Sequence, residues 1–144
     1  MTYYAVIDTN VIVSSVLKPS SIPGLVVELV NKKTIIPLIS KEILDEYEEV
    51  LFRNKFGIDP ALIQSLLKDI KEKGIYLERE QSLEDFIDKD DAVFFEIVMS
   101  ARSTMDAYLI TGNMKHYPIR SYIVTPREMI EIIEKDSIEY LNKL

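Results

Sequence analysis

Apolar positions along this chain alternate between short continuous runs and stripes of 3.6-residue period. Tyr3-Tyr4-Ala5-Val6-Ile7 is apolar without alternation, which predicts a strand over residues 3–8 covered on both faces. Asn10 reads as the cap of a short helix reaching Leu17, and Pro19-Ser20-Ser21-Ile22-Pro23 reads as a break. Leu25 to Val30 then reads as a helix and Thr34-Ile35-Ile36-Pro37-Leu38 as a second strand. Ser40 starts a helix whose Ile43, Leu44, Tyr47, Val50 and Leu51 share one stripe. Asp59-Pro60 is a cap followed by proline at the first helical position. Leu62, Ile63, Leu66, Leu67 and Ile70 carry that helix to about Lys73, where Gly74 stops it. Ile75-Tyr76-Leu77 reads as a short strand, 78–90 as an acidic loop and Asp91 to Ala101 as a helix. Strands are predicted at 107–111 and 122–124. Thr125-Pro126-Arg127-Glu128 carries a capping threonine, proline at the first position and glutamate at the third, a strong helix start.

Strands alternating with helices predict a three-layer α/β/α sandwich with a central parallel sheet, with residues 1–144 as one domain. Ligands of such sheets bind outside the carboxyl ends of the strands. Asp8 ends the first run and Asn113 follows the strand at 107–111. Glu46 lies on the helix after the second strand. Asp91 opens its helix, where the dipole favours negative charge. Phe94, Phe95 and Val98 follow it at i+3, i+4 and i+7, so it is expected to face inward. Carboxylates brought to one edge repel unless a cation sits between them, which predicts a divalent metal site.

Composition narrows the chemistry. The 17 Lys and Arg against 24 Asp and Glu give a net charge of −7, which argues against broad phosphate tracking along nucleic acid. A local acidic site that cuts nucleic acid remains compatible, because the metal supplies the positive charge. The chain has no cysteine, which removes disulfides and thiolate metal sites. One histidine excludes RNA cleavage by a histidine pair. No apolar stretch approaches the roughly 18 residues that span a bilayer. Since the N-terminus also runs straight into a strand-like segment, a cytoplasmic protein without leader or membrane anchor is expected.

Val6-Ile7-Asp8-Thr9-Asn10-Val11, Ser40 to Glu46-Tyr47, Asp88-Lys89-Asp90-Asp91-Ala92-Val93-Phe94 and Leu109-Ile110-Thr111-Gly112-Asn113 follow one another in order. With these motifs the chain resembles the PIN-domain ribonucleases, and within them the branch of toxin components of toxin–antitoxin pairs. The resemblance runs from Tyr3 to about Ile130. It implies a Rossmann-like sandwich, Mg²⁺ or Mn²⁺ held by acidic residues, and hydrolysis of RNA phosphodiester bonds leaving 3′-hydroxyl and 5′-phosphate ends. By position it implies metal-binding and catalytic roles for Asp8, Glu46, Asp91 and Asn113. It also implies an RNA substrate, an antitoxin protein as partner and a homodimer. Two metal ions ~3.5–4 Å apart activate a water and stabilise both attacking and leaving oxygens.

Several residues admit a plainer role. Asp8 could simply cap the next helix. Glu46 and Glu48 border the apolar stripe equally well, and only the resemblance selects Glu46. Asp88 and Asp90 compete with Asp91, with Asp88 as helper or cap. Asn113 stands where the family most often has aspartate, which weakens the expected hold on a second metal, and Asn113→Asp is expected to raise metal affinity. Thr111, Lys115 and His116 are candidate substrate contacts, with Arg120 nearby. Arg53 and Lys55 read as favourable charges at a helix end. Two rival functions stay open. One is a non-catalytic PIN-like module that binds RNA or protein through a weakened metal site. The other is a receiver-type phosphorylation switch, poorly matched by Glu78-Arg79-Glu80 after the strand at 75–77 and by Thr125-Pro126-Arg127 after the last strand.

Overall fold

The computed structural model describes residues 1–79 and 89–144; Asp88 and most of the acidic segment expected as a loop lie outside them. Strands β1 (Tyr3–Ile7), β2 (Ile35–Ile39), β3 (Ile75–Tyr76), β4 (Ala107–Ile110) and β5 (Ile123–Val124) form one sheet in the order β3-β2-β1-β4-β5. Every pairing is parallel. Between them run α1 (Thr9–Leu17), α2 (Ile22–Asn31), α3 (Lys41–Leu51), α4 (Pro60–Lys73) and α5 (Lys89–Arg102), and α6 (Pro126–Asn142) follows β5. The helices cover both faces of the sheet, as the unalternating strands require: Ala5, Val6, Ile35, Leu38, Leu109 and Ile110 are fully buried. Among the described residues no single helix is long and apolar enough to cross a membrane; α1 and α2, apolar together, meet at a bend of 99°.

Helix starts follow the capping chemistry, with three differences from expectation. The cap of α1 is Asp8, not Asn10, because Asp8 keeps extended backbone (φ −64°, ψ 147°) while its carboxylate accepts from Thr9 N. α2 starts at Ile22 instead of Leu25. Ser21 Oγ accepts from Gly24 N at 3.2 Å, and Pro23 sits in the first turn, where its missing N–H is not needed. α5 starts at Lys89, so Asp90 and Asp91 both occupy its first turn. Ser40, Asp59 and Thr125 cap as predicted, the last within a full capping box with Glu128. Gly74 is required by close approach: a Cβ there would lie 2.7 Å from Ile39 Cδ1 and 2.8 Å from Ile70 O.

The sheet order decides where a site can form. From β1 the chain steps outward through β2 to β3, then crosses back to place β4 on the other side of β1. The crossovers leaving β1 and entering β4 therefore diverge, opening a crevice above their carboxyl ends. Ile7 pairs with Ile110, which brings the following residues, Asp8 and Thr111, side by side at that crevice. Asp8 N donates to Ile110 O at 2.9 Å to close the register.

Candidate active site

Asp8 is the centre of the crevice and is only 5 % exposed. Its Oδ1 accepts from Thr9 N at 2.8 Å. Its Oδ2 accepts from Asn10 Nδ2 at 3.2 Å, Thr111 Oγ1 at 2.7 Å and Tyr117 OH at 3.1 Å. Burial pushes the Asp8 carboxyl above its ordinary value, and these four hydrogen bonds oppose the rise. Capping and cluster formation thus coincide in one residue: the helix start turns Oδ1 toward its own backbone while β4 and the segment after it hold Oδ2.

Glu46 reaches the same place from α3. Thr9 Oγ1 donates to Glu46 Oε2, linking the glutamate to the first residue of α1. The height of α3 is set by the next residue, Tyr47. Its hydroxyl donates to Ile7 O at the end of β1, and its ring lies 6.3 Å from that of Phe94 on α5. Burial raises the Glu46 carboxyl to about 7, against the Thr9 hydrogen bond, and the negative charges of Asp90 and Asp8 add to the rise. Asp90 also meets Glu46 through a side-chain hydrogen bond, which adds to the rise.

The pH consequence has a definite sign. Folded Glu46 holds its proton up to about 7, whereas an unstrained glutamate releases it near 4.5. The native state therefore binds more protons across that window, and its stability falls as pH rises from 4.5 to about 7. Glu46→Gln removes the penalty while its amide oxygen can still accept from Thr9. In metal-free protein the variant is expected to unfold at higher urea than wild type above pH 7, with no such gain below the lower end of the window. Equal shifts at both ends would contradict this account.

Asp91, one residue on from Asp90, faces the opposite wall. Its Oδ1 lies 3.4 Å from Tyr117 OH and its Oδ2 lies 3.2 Å from His116 Nδ1. The inward orientation expected from Phe94, Phe95 and Val98 holds, since the Asp91 side chain is 15 % exposed. Glu96, on the same helix, is unexpectedly buried and lies 3.7 Å from Arg79, which also reaches Glu42 at 3.5 Å and so ties α3 to α5.

The remaining candidates are placed differently from one another. Thr111, a candidate substrate contact, is 0 % exposed and donates its hydroxyl to Asp8, since a buried hydroxyl needs a partner inside the protein. Asn113 is exposed, and it joins the cluster through its backbone N–H, which donates to Thr111 Oγ1 at 3.0 Å, while its amide caps nothing. Lys115 and His116 are exposed in the short turn Met114–His116 beside the crevice. Sequence reasoning left Thr9, Asn10 and Tyr117 without a place in the cluster, and weighed Asp90 only as a rival of Asp91. Asn10 bridges it, donating to Asp8 and accepting from Gly112 N at 3.0 Å; a Cβ on Gly112 would come within 2.9 Å of Asn10 Oδ1. The Asp8-Thr9-Asn10 tripeptide signalled this, because three consecutive polar residues follow a buried strand.

The donor set suits a hard divalent cation, being carboxylate oxygen with a single imidazole and no thiolate. Among the described residues no three acidic or histidine side chains form a metal cage. They stand instead as two pairs, Asp8 with Asp91 across Tyr117 and Glu46 with Asp90. Two carboxylates plus waters are what Mg²⁺ ordinarily takes, and the like-charge strain on Glu46 is what a cation relieves.

The chain has known relatives. It is similar to the uncharacterized protein MJ1680 of Methanocaldococcus jannaschii, 26% identical over an alignment that covers 90% of this chain and 91% of the relative. The family profile described as PIN domain matches residues 4–115, from β1 through the turn that carries Lys115. With that match over most of its length, on a five-stranded parallel sheet, the chain belongs to the PIN-domain family, whose members are generally nucleases that use divalent metals.

Proposed function

We propose that this protein is an Mg²⁺- or Mn²⁺-dependent endoribonuclease, acting as the toxin of a toxin–antitoxin pair. The observation that carries the reading is the gathering of Asp8, Glu46, Asp90 and Asp91 at the switch-point crevice, with Glu46 raised to about 7 by burial and by its acidic neighbours. Such strain at one sheet edge supports a functional role for these residues, because perturbed carboxyls cluster at functional sites. A divalent cation bound there would supply the positive charge that draws in and polarises a phosphodiester. Asp8, Glu46 and Asp91 would hold it, and Asp90 enters the set in place of the exposed Asn113 amide. Asp8 is pre-oriented by four hydrogen bonds. Lys115 and His116 lie exposed on the rim, where they would meet substrate phosphates against an otherwise acidic surface. An antitoxin protein and a second copy of the chain are the partners this reading assigns, in the cytoplasm.

Cleavage of a structured RNA pool is the direct test. Activity is expected with Mg²⁺ or Mn²⁺, to vanish in EDTA and to return when the cation is restored, with 5′-phosphate on the new ends. Undiminished cleavage in EDTA would refute the mechanism. The exposed Asn113 amide supports a second reading, a PIN-like module that binds RNA or protein without cutting it. Cation binding and RNA retention without new ends would favour that module.

A further inference from the structure

Tyr117 follows an exposed turn yet is itself 6 % exposed. Its backbone is extended (φ −124°, ψ 155°), the conformation that a following proline, here Pro118, imposes. The chain therefore leaves the turn in a fixed direction and delivers the ring into the crevice. There the hydroxyl lies 3.1 Å from Asp8 Oδ2 and 3.4 Å from Asp91 Oδ1. A hydroxyl carries one proton, so it donates to one carboxylate at a time. Asn113, at the position expected to complete the shell, is exposed and contributes only its backbone.

We propose that Tyr117, and not Asn113, closes this carboxylate cluster: its hydroxyl bridges Asp8 and Asp91, sets their spacing, and so orients them for a hard divalent cation. The cation part rests on the metal-dependent reading above; the bridge itself does not. Tyr117 is a positioning residue here, analogous to the outer partners that orient metal-binding carboxylates.

Two measurements on the full chain separate the parts. In calorimetric Mn²⁺ titrations, Tyr117→Phe, which keeps the packed ring, is expected to weaken binding by roughly 10-fold. Asn113→Ala is expected to leave binding within about 2-fold of wild type. In metal-free protein, urea unfolding of Tyr117→Phe, Asp91→Asn and the double variant is expected to be non-additive, because both changes break one bridge. Additive unfolding would overturn the bridge, and so would unchanged Mn²⁺ affinity in Tyr117→Phe or a loss in Asn113→Ala as large as its own. Wild type that binds no Mn²⁺ while the cycle stays non-additive would sink the metal-dependent reading and uphold the bridge.

Discussion

Asp8→Asn is expected to abolish Mn²⁺ binding and to lower RNA cleavage by on the order of 10²–10³-fold, the equivalent of several kcal/mol of lost charge stabilisation. The substitution keeps shape and volume but not hydrogen-bond polarity. Wild-type Asp8 presents two acceptor oxygens to four donors, from Thr9, Asn10, Thr111 and Tyr117. An asparagine can turn only one oxygen to them. If the oxygen faces Thr111 and Tyr117, the new NH₂ meets Thr9 N–H; if it turns around, the two hydroxyls can rotate to accept from the NH₂, but it also meets the Asn10 NH₂, whose oxygen is held by Gly112 N. Either choice leaves a buried donor facing a donor, costing about 1–3 kcal/mol. The loss of function is therefore expected to exceed what the lost charge alone explains, and urea unfolding in parallel with initial rates separates the two. Rates within a few-fold of wild type, in folded protein at saturating Mn²⁺, would remove Asp8 from the chemistry.

Tyr47→Ala is expected to cost about 3–5 kcal/mol of stability, the largest effect of any single change away from the acidic cluster. Tyr47 is 1 % exposed, packs against Phe94, and satisfies Ile7 O at the end of β1. Truncation removes the ring, opens a cavity between α3 and α5, and strips the carbonyl of this donor. Tyr47→Phe isolates the last of these and is expected to cost about 1–3 kcal/mol. Urea unfolding checks both, with the exposed Leu62→Ala as reference, expected within about 0.5 kcal/mol of wild type. Because Tyr47 anchors the helix that carries Glu46, the Phe variant also loosens the height of α3 at the crevice. A cost below about 1 kcal/mol for the Ala variant would show that the core closes over the gap and that Tyr47 does not anchor α3.

The contrast between adjacent residues shows how far the linear pattern reaches. Unbroken apolar runs announced β1, β2 and β4 because strands covered on both faces need them, and Ser40, Asp59 and Thr125 announced their helices because a capping oxygen is a local device. The placement of Asp8 and Asp91 near one sheet edge follows from the alternation of strands and helices, since parallel strands put all their carboxyl ends together, whereas Glu46 was selected over Glu48 only by the resemblance. The resemblance to PIN domains was legible in the same motifs. Asn10 and Ser21 were harder: each of their segments offers several capping residues, and backbone geometry chooses among them.

What the sequence determined by itself is therefore the parallel α/β/α architecture and the edge at which acids collect, both products of short-range periodicity and capping. Only the tertiary structure decided which acid meets which. Asp90 and Asp91 are neighbours in the chain, but side chains about 100° apart around a helix point to different walls, one to Glu46 and the other to Tyr117 and His116. The pairing of Ile7 with Ile110 drew Thr111 inward onto Asp8, and Pro118 turned Tyr117 under the surface while Asn113 stayed outside. These contacts join residues a hundred positions apart, and no local pattern encodes them, because they exist only once β4 has crossed over to pair with β1.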